Sequence, residues 1–122
     1  MGLHLHDAGL LTVKQGTNAS NAYAAQSAVG QISAGGLDVF TPPTFQAETY
    51  TVQVAPVANP QPTDWVTLQW QPGTDVVLAA NRCVSVPFGA GFRAIRIFCT
   101  NGNAVADRVF RIVLQLSTDG LD

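Results

Sequence analysis

Charged residues are scarce in this sequence. Lys, Arg, Asp and Glu together make up 11% of its 122 residues, whereas about 25% is usual in soluble domains. The formal net charge is −2, so the chain lacks the basic excess with which proteins bind nucleic-acid phosphates, and we expect no nucleic-acid partner. We expect the surface to be neutral and polar, or partly covered by partner proteins.

Long apolar runs are also missing. None of them approaches the roughly 20 residues that a membrane-spanning helix needs, so we expect no membrane partner. Residues 1–14 lack a basic leading segment, and His4, His6 and Asp7 interrupt their apolar stretch, which argues against a secretory signal. The chain is long enough for one domain with one hydrophobic core.

Cysteine is limited to two residues, Cys83 and Cys99. One pair is too few for the disulfide framework that holds many small secreted domains together. We expect both thiols to be free and buried, as unpaired cysteines commonly are. A bridge between them stays geometrically possible, because both lie in segments that we predict to be strands.

No catalytic motif is present. The two histidines, His4 and His6, lie far from any nucleophile motif, and the eight acidic residues are scattered, so we expect no enzyme activity, no catalytic residues and no cofactor. On a strand both histidines would share a face, as metal ligands should, but no third ligand is secured. We therefore expect a solvated terminus and no metal, with a small metalloenzyme that uses both histidines as a competing hypothesis.

Alternation of apolar and polar residues predicts β-strands in the second part of the chain. In residues 48–55, Tyr50, Val52 and Val54 alternate with polar side chains. The same pattern predicts strands at 64–70, 75–79, 82–86, 92–100 and 107–117. Pro-Gly and Asn-Gly turns lie between them, and short strands of this kind indicate an all-β fold, an antiparallel β-sandwich.

The alternation also predicts which side chains face the core. In residues 64–70 we expect Val66, Leu68 and Trp70 inward and Trp65 outward. In the last two strands, the predicted inward-facing residues are Ile95, Ile97, Cys99, Phe110, Ile112, Leu114 and Leu116.

The first part of the chain has a different composition. Residues 15–36 carry no charge and little apolar bulk, so we expect residues 1–36 to form an arm with weakly specified elements, 37–119 the sandwich domain and 120–122 a tail. Strands at 10–14 and 30–33 are one alternative for the arm. A helix over 20–33 is the other, because Ala22, Ala25, Val29 and Ile32 have roughly helical spacing.

Several residues are candidates for contacts with a partner. Five apolar residues of the arm either complete the sandwich as its first strand or dock onto another subunit: Leu3, Leu5, Leu10, Leu11 and Val13. Trp65 is expected in core or subunit packing, or alternatively as a platform on which a sugar stacks. We expect the arginines on predicted strands to pair with Asp75 or Asp107 of the same chain, or with a neighbouring subunit: Arg93, Arg96, Arg108 and Arg111. Of these, Arg93, Arg96 and Arg111 are candidates for partner contacts.

Residues 38–53 resemble a segment of small phage-encoded virion proteins, in which a proline and an aromatic residue follow a short strand and precede an alternating one. Residues 64–68 resemble the next strand of that group, and 92–97 and 106–114 its last two strands. The order is also similar to discoidin-like jelly rolls. A proline-rich loop at 56–62 replaces the usual Asp-Gly turn, so the resemblance does not extend to this loop.

The resemblance implies a jelly-roll-like sandwich in a phage virion that is assembled in the host cytoplasm. It further implies a capsid decoration or cement subunit that bridges capsomers, binds the major capsid protein or another virion protein, and forms a homo-oligomer, a dimer or a trimer. A carbohydrate-binding or host-recognition module, in a tail fibre or a lectin-like protein, is the alternative.

Overall fold

Two antiparallel sheets pack face to face in the computed structural model, which describes residues 3–24, 36–57, 59–87 and 93–117. The first sheet consists of β1 (Leu3–Val13), β3 (Gly36–Phe40), β9 (Cys83–Pro87) and β11 (Arg108–Ser117). Its strand order is β1-β11-β3-β9. We call it the four-stranded sheet.

The second sheet consists of β2 (Tyr23–Ala24), β4 (Tyr50–Ala55), β5 (Val66–Thr67), β8 (Val77–Leu78) and β10 (Ala94–Cys99). Its order is β2-β10-β4-β5, with β8 also paired to β4. We call it the five-stranded sheet. A separate hairpin joins β6 (Gln69–Gln71) to β7 (Thr74–Asp75), and a short 3-10 helix, Pro62–Asp64, precedes β5. The predicted all-β antiparallel sandwich is confirmed.

The hydrophobic core lies between the two sheets. It contains Leu11, Val13, Val39, Phe110 and Ile112 from the first sheet, and Tyr50, Val52, Val54, Ile95, Ile97 and Cys99 from the second. Each large apolar side chain that is fully buried here contributes about 1.5–3 kcal/mol. The predicted inward positions in β10 and the first half of β11 are confirmed, whereas the side chains of Leu114 and Leu116 lie outside the described residues.

The first strand completes the four-stranded sheet, because β1 pairs with β11 from Leu3 to Val13. A bulge between Asp7 and Gly9 interrupts the register, and Gly9 adopts a φ of +90° that suits glycine. Beyond the bulge, Leu11 and Val13 are buried in the core. The apolar residues of the arm are expected either to complete the sandwich as its first strand or to dock onto another subunit. For residues 3–13 the structure shows the first strand of the sandwich.

The side chain of Asn21 lies along the edge of β1. Its Oδ1 accepts a hydrogen bond from the backbone amide of Thr12 at 2.8 Å, and its Nδ2 donates to the carbonyl oxygen of Leu10 at 3.4 Å. An exposed strand edge is a template for pairing with another chain, and a side chain that occupies the backbone groups limits such pairing.

The predicted strand at 64–70 is interrupted. The amide of Leu68 still donates to the carbonyl of Val52 at 2.8 Å, but the chain then leaves the five-stranded sheet to form the β6–β7 hairpin. Trp70 is consequently 46% exposed, and the prediction that it faces the core is wrong. Val66 pairs with the core residue Val54, but it lies in the edge strand β5 and is 57% exposed, so the prediction that it is part of the core is also wrong. Leu68 does pack against the core.

The helix proposed for 20–33 and the strand proposed for 30–33 fall mainly outside the described residues. Where this stretch is described, Tyr23 and Ala24 form β2 and pair with Ile95 and Ala94. The structure therefore shows a strand at the start of the proposed helix.

Candidate functional site

One row of side chains crosses the outer face of the four-stranded sheet. Leu10 of β1 pairs with Arg111 of β11, Arg111 pairs with Phe40 of β3, and Phe40 pairs with Cys83 of β9. Because directly paired residues project to the same side of a sheet, these four side chains form a continuous line, which we call the outer row. Leu10 is 49% exposed and Phe40 43% exposed.

The outer row has apolar and charged neighbours. Val109 is 41% exposed and pairs with Thr12, two residues along the strands from Arg111 and Leu10. On the other side, Asp38 accepts a hydrogen bond from the Ser85 hydroxyl at 2.8 Å. Among the side chains that the structure describes, this face thus combines large exposed apolar groups with the charges of Arg111 and Asp38, a mixture that suits contact with another protein.

A second row crosses the outer face of the five-stranded sheet. Arg96 of β10 pairs with Gln53 of β4, and Gln53 pairs with Thr67 of β5, so we call these three residues the donor row. The Nε of Arg96 donates to the Oε1 of Gln53 at 2.7 Å. The guanidinium carbon lies 4.4 Å from the centroid of the Trp65 ring and 5.6 Å from that of Phe98.

The charge of Arg96 is partly desolvated. Burial against the aromatic rings lowers the pKa of Arg96. Cation–π stacking stabilises the guanidinium, but the ion pair found among the described residues belongs to Arg108 and Glu48. In the described part of the chain, Arg96 therefore has a fixed guanidinium whose two Nη groups meet no carboxylate.

A buried polar cluster lies at one end of the sandwich, where the loop before β4 meets the start of β11. Arg108 donates to Oε1 of Glu48 from Nε at 2.9 Å and from Nη2 at 2.8 Å. The second oxygen, Oε2, accepts from the Tyr50 hydroxyl and from the Val105 amide, both at 2.8 Å. The Gln46 amide donates to Oε1 at 3.2 Å.

Hydrogen bonding holds Glu48 in its ionised form. Burial alone would raise the pKa of Glu48, but the donors Tyr50, Val105, Arg108 and Gln46 outweigh it and lower the pKa to about 2. Burial, together with this carboxylate, raises the pKa of Tyr50. A carboxylate with donors at both oxygens anchors the two loops and holds no proton to transfer near neutral pH.

The partner-contact candidates separate into buried and accessible residues. Leu11 and Val13 are buried within their own chain, because their side chains project from β1 into the core. Neither is therefore available to a partner. Leu10 and Arg111 are exposed. Leu3 and Leu5 pair with Ser117 and Gln115, but their side chains lie outside the described residues.

The remaining candidates lie on or next to the five-stranded sheet. Trp65 is half-buried beside Arg96, and Arg93 is half-buried with its amide donating to the Ala55 carbonyl at 2.8 Å. The expected pairing of Arg108 with Asp75 or Asp107 is wrong, because Arg108 pairs with Glu48. Asp75 accepts a hydrogen bond from the Gln69 side chain and Asp107 from the Gln15 amide.

Both cysteines are free thiols, as expected, but their environments differ. Cys99 is buried in the five-stranded sheet, whereas Cys83 is exposed at the end of the outer row. The prediction that both thiols are buried is wrong for Cys83, because its strand is an edge strand and its side chain projects outward with Phe40.

Sequence reasoning missed Glu48 and Phe40 as residues of these sites, and it assigned Arg108 to Asp75 or Asp107 instead of Glu48. The alternation of inward and outward positions along the strands could have identified Glu48 and its pairing with Arg108. Glu48 has the parity of Tyr50 and Val52, and Arg108 that of Phe110, so both charges occupy inward positions where each needs the other.

The described residues contain no group of three or more His, Cys, Asp or Glu side chains that could hold a metal ion. Within the same residues, no helix has the length and apolar character to cross a membrane. Comparison of the chain with protein-family models and with curated proteins finds no match.

Proposed function

We propose that this protein is a non-enzymatic structural subunit that assembles through the outer face of its four-stranded sheet. Its specific form is the one that the sequence resemblance implies: a decoration or cement subunit of a phage capsid that binds the major capsid protein or another virion protein. On this proposal the chain forms a closed homo-oligomer, a dimer or a trimer, before or during attachment.

The observation that carries this proposal is the exposure of Leu10, Phe40 and Val109 on one regular sheet face. Single exposed apolar residues are ordinary on protein surfaces, but several on one face mark an interaction site. Arg111 lies among them, and arginine is enriched at interfaces. The low overall charge of the chain, 11%, supports a surface that partners partly cover.

The strand order supports a jelly roll. The two sheets have the orders β1-β11-β3-β9 and β2-β10-β4-β5. If β5 to β8 are counted together with β4, successive strands alternate between the two sheets along the whole chain order. Jelly rolls with two such sheets occur in viral capsid proteins and in lectins, so the order is in keeping with a virion subunit and supports it by analogy of fold.

Sedimentation of the purified chain tests the proposal. We expect a defined dimer or trimer for the native sequence and a monomer for Phe40→Ser, because the substitution removes the largest apolar side chain of the outer row. Val77→Ser is the matched control, since Val77 is 54% exposed but lies on the other sheet. Circular dichroism verifies that both variants fold.

Two outcomes would overturn the proposal. The native chain would sediment as a monomer at every concentration, or Val77→Ser would dissociate the oligomer as effectively as Phe40→Ser. The second result would assign association to the five-stranded sheet instead.

A further inference from the structure

We propose that the donor row, Arg96, Gln53 and Thr67, together with Trp65, binds a carboxylate-bearing sugar such as a uronic or sialic acid. This site lies on the five-stranded sheet. It is therefore separate from the face that we propose for assembly, and the two proposals are tested independently.

The donor row presents hydrogen-bond donors in excess of acceptors. Gln53 uses its Oε1 to accept from Arg96 at 2.7 Å, which leaves its amide nitrogen as a donor beside the two Nη groups. Thr67 adds a hydroxyl at the next position of the same row. A row of this kind complements a ligand rich in oxygen acceptors.

The guanidinium is held in one orientation before any ligand arrives. The guanidinium carbon lies 4.4 Å from the centroid of the Trp65 ring and Nε donates a hydrogen bond to Gln53, so two contacts restrain the Arg96 head. Arginine binds carboxylates through two parallel N–H groups of its guanidinium. A guanidinium that is already immobilised loses little conformational entropy on binding. The half-buried charge also gains from an anion, because the described residues supply it with none.

The chemistry around Arg96 favours a sugar acid over an acidic side chain of another protein. A sugar acid joins a carboxylate, several hydroxyl groups and an apolar C–H face in one ring. These groups match Arg96, the Gln53 and Thr67 donors, and the aromatic rings of Trp65 and Phe98, respectively. An aspartate or glutamate would use the guanidinium alone.

Tryptophan fluorescence provides the test. The chain has two tryptophans, so Trp70→Phe leaves Trp65 as the only reporter and removes an exposed residue outside the site. Glucuronate and N-acetylneuraminate are titrated against this variant, with glucose and acetate as neutral-sugar and simple-carboxylate controls. We expect saturable quenching by at least one sugar acid, and at least about tenfold weaker binding of glucose and acetate.

Variants of the arginines locate the site. Arg96→Gln should weaken binding of the sugar acid about tenfold or more. Arg96→Lys should restore binding in part, because lysine keeps the positive charge but lacks the two parallel N–H groups. Arg93→Gln is the matched control and should bind as the parent does. If Arg96→Gln fails to fold, Thr67→Val replaces it and should weaken binding through the lost hydroxyl.

The inference would be overturned by the absence of saturable quenching by both sugar acids, by equal binding of glucose, or by equal loss of binding in Arg93→Gln. Binding of a glutamate-rich peptide without binding of either sugar acid would also contradict it, since the site would then be a protein contact.

Discussion

Glu48 and Arg108, 60 residues apart in the sequence, form a buried ion pair at 2.8 Å. The pair joins the loop before β4 to the first residue of β11. Beside it, the Tyr50 ring packs edge-on against Phe110 with centroids 5.2 Å apart. One polar cluster and one aromatic cluster therefore close the same end of the sandwich.

Glu48→Gln should destabilise the fold strongly. The substitution leaves Arg108 buried without its anion, and removing one partner of a buried pair typically costs about 3–5 kcal/mol. Tyr50→Phe is the milder comparison, because it removes a single hydrogen bond to a charged group and should cost about 1.5–3 kcal/mol. Urea unfolding measures both. A cost below about 1 kcal/mol for Glu48→Gln would show that the pair contributes little to stability.

Acid should remove the contribution of Glu48. Its pKa is lowered in the folded state from 4.5 to about 2, so the folded form gains stability from the ionised carboxylate above pH 4.5. That stability is lost as the pH falls towards 2, and the shift corresponds to about 3 kcal/mol. A carbon-13 titration of the Glu48 carboxyl group measures the pKa directly, and a midpoint near 4.5 would contradict the proposed role of the donors.

The neighbouring residues Leu10 and Leu11 should respond differently to alanine. Leu11 is 1% exposed and Leu10 49% exposed, because successive side chains of β1 project to opposite faces. Leu11→Ala should lower the free energy of unfolding by about 2–5 kcal/mol, and Leu10→Ala by less than about 0.5 kcal/mol. Denaturant melts at low protein concentration compare the free energies of unfolding of the two variants. Equal losses of stability would mean that the assignment of inward and outward side chains in β1 is wrong.

The two thiols should react at very different rates. Cys83 is exposed and Cys99 buried, so a thiol reagent such as DTNB should label one cysteine in the native state and both after unfolding. Because Cys83 lies in the outer row, its labelling should also slow as the protein concentration rises and the proposed oligomer forms. Rates independent of concentration would contradict burial of the outer row in that oligomer.

The strands of the second half could be predicted from the sequence because their alternation is regular. Tyr50, Val52, Ile95 and Ile97 recur with the period of a strand, and this local pattern suffices to place them in a core. The hairpin after Leu68 could not be predicted in the same way. Its residues alternate as a strand does, and only the departure of the chain from the sheet exposes Trp70.

The sequence by itself determined the fold class, the inward faces of β4 and β10, and the low charge of the surface. The tertiary structure alone decided which distant residues meet. Glu48 finds Arg108, and Leu10, Arg111, Phe40 and Cys83 form one row. The physical reason is that alternation specifies a side of a strand but not its neighbours, whereas strand order and register set every contact across a sheet.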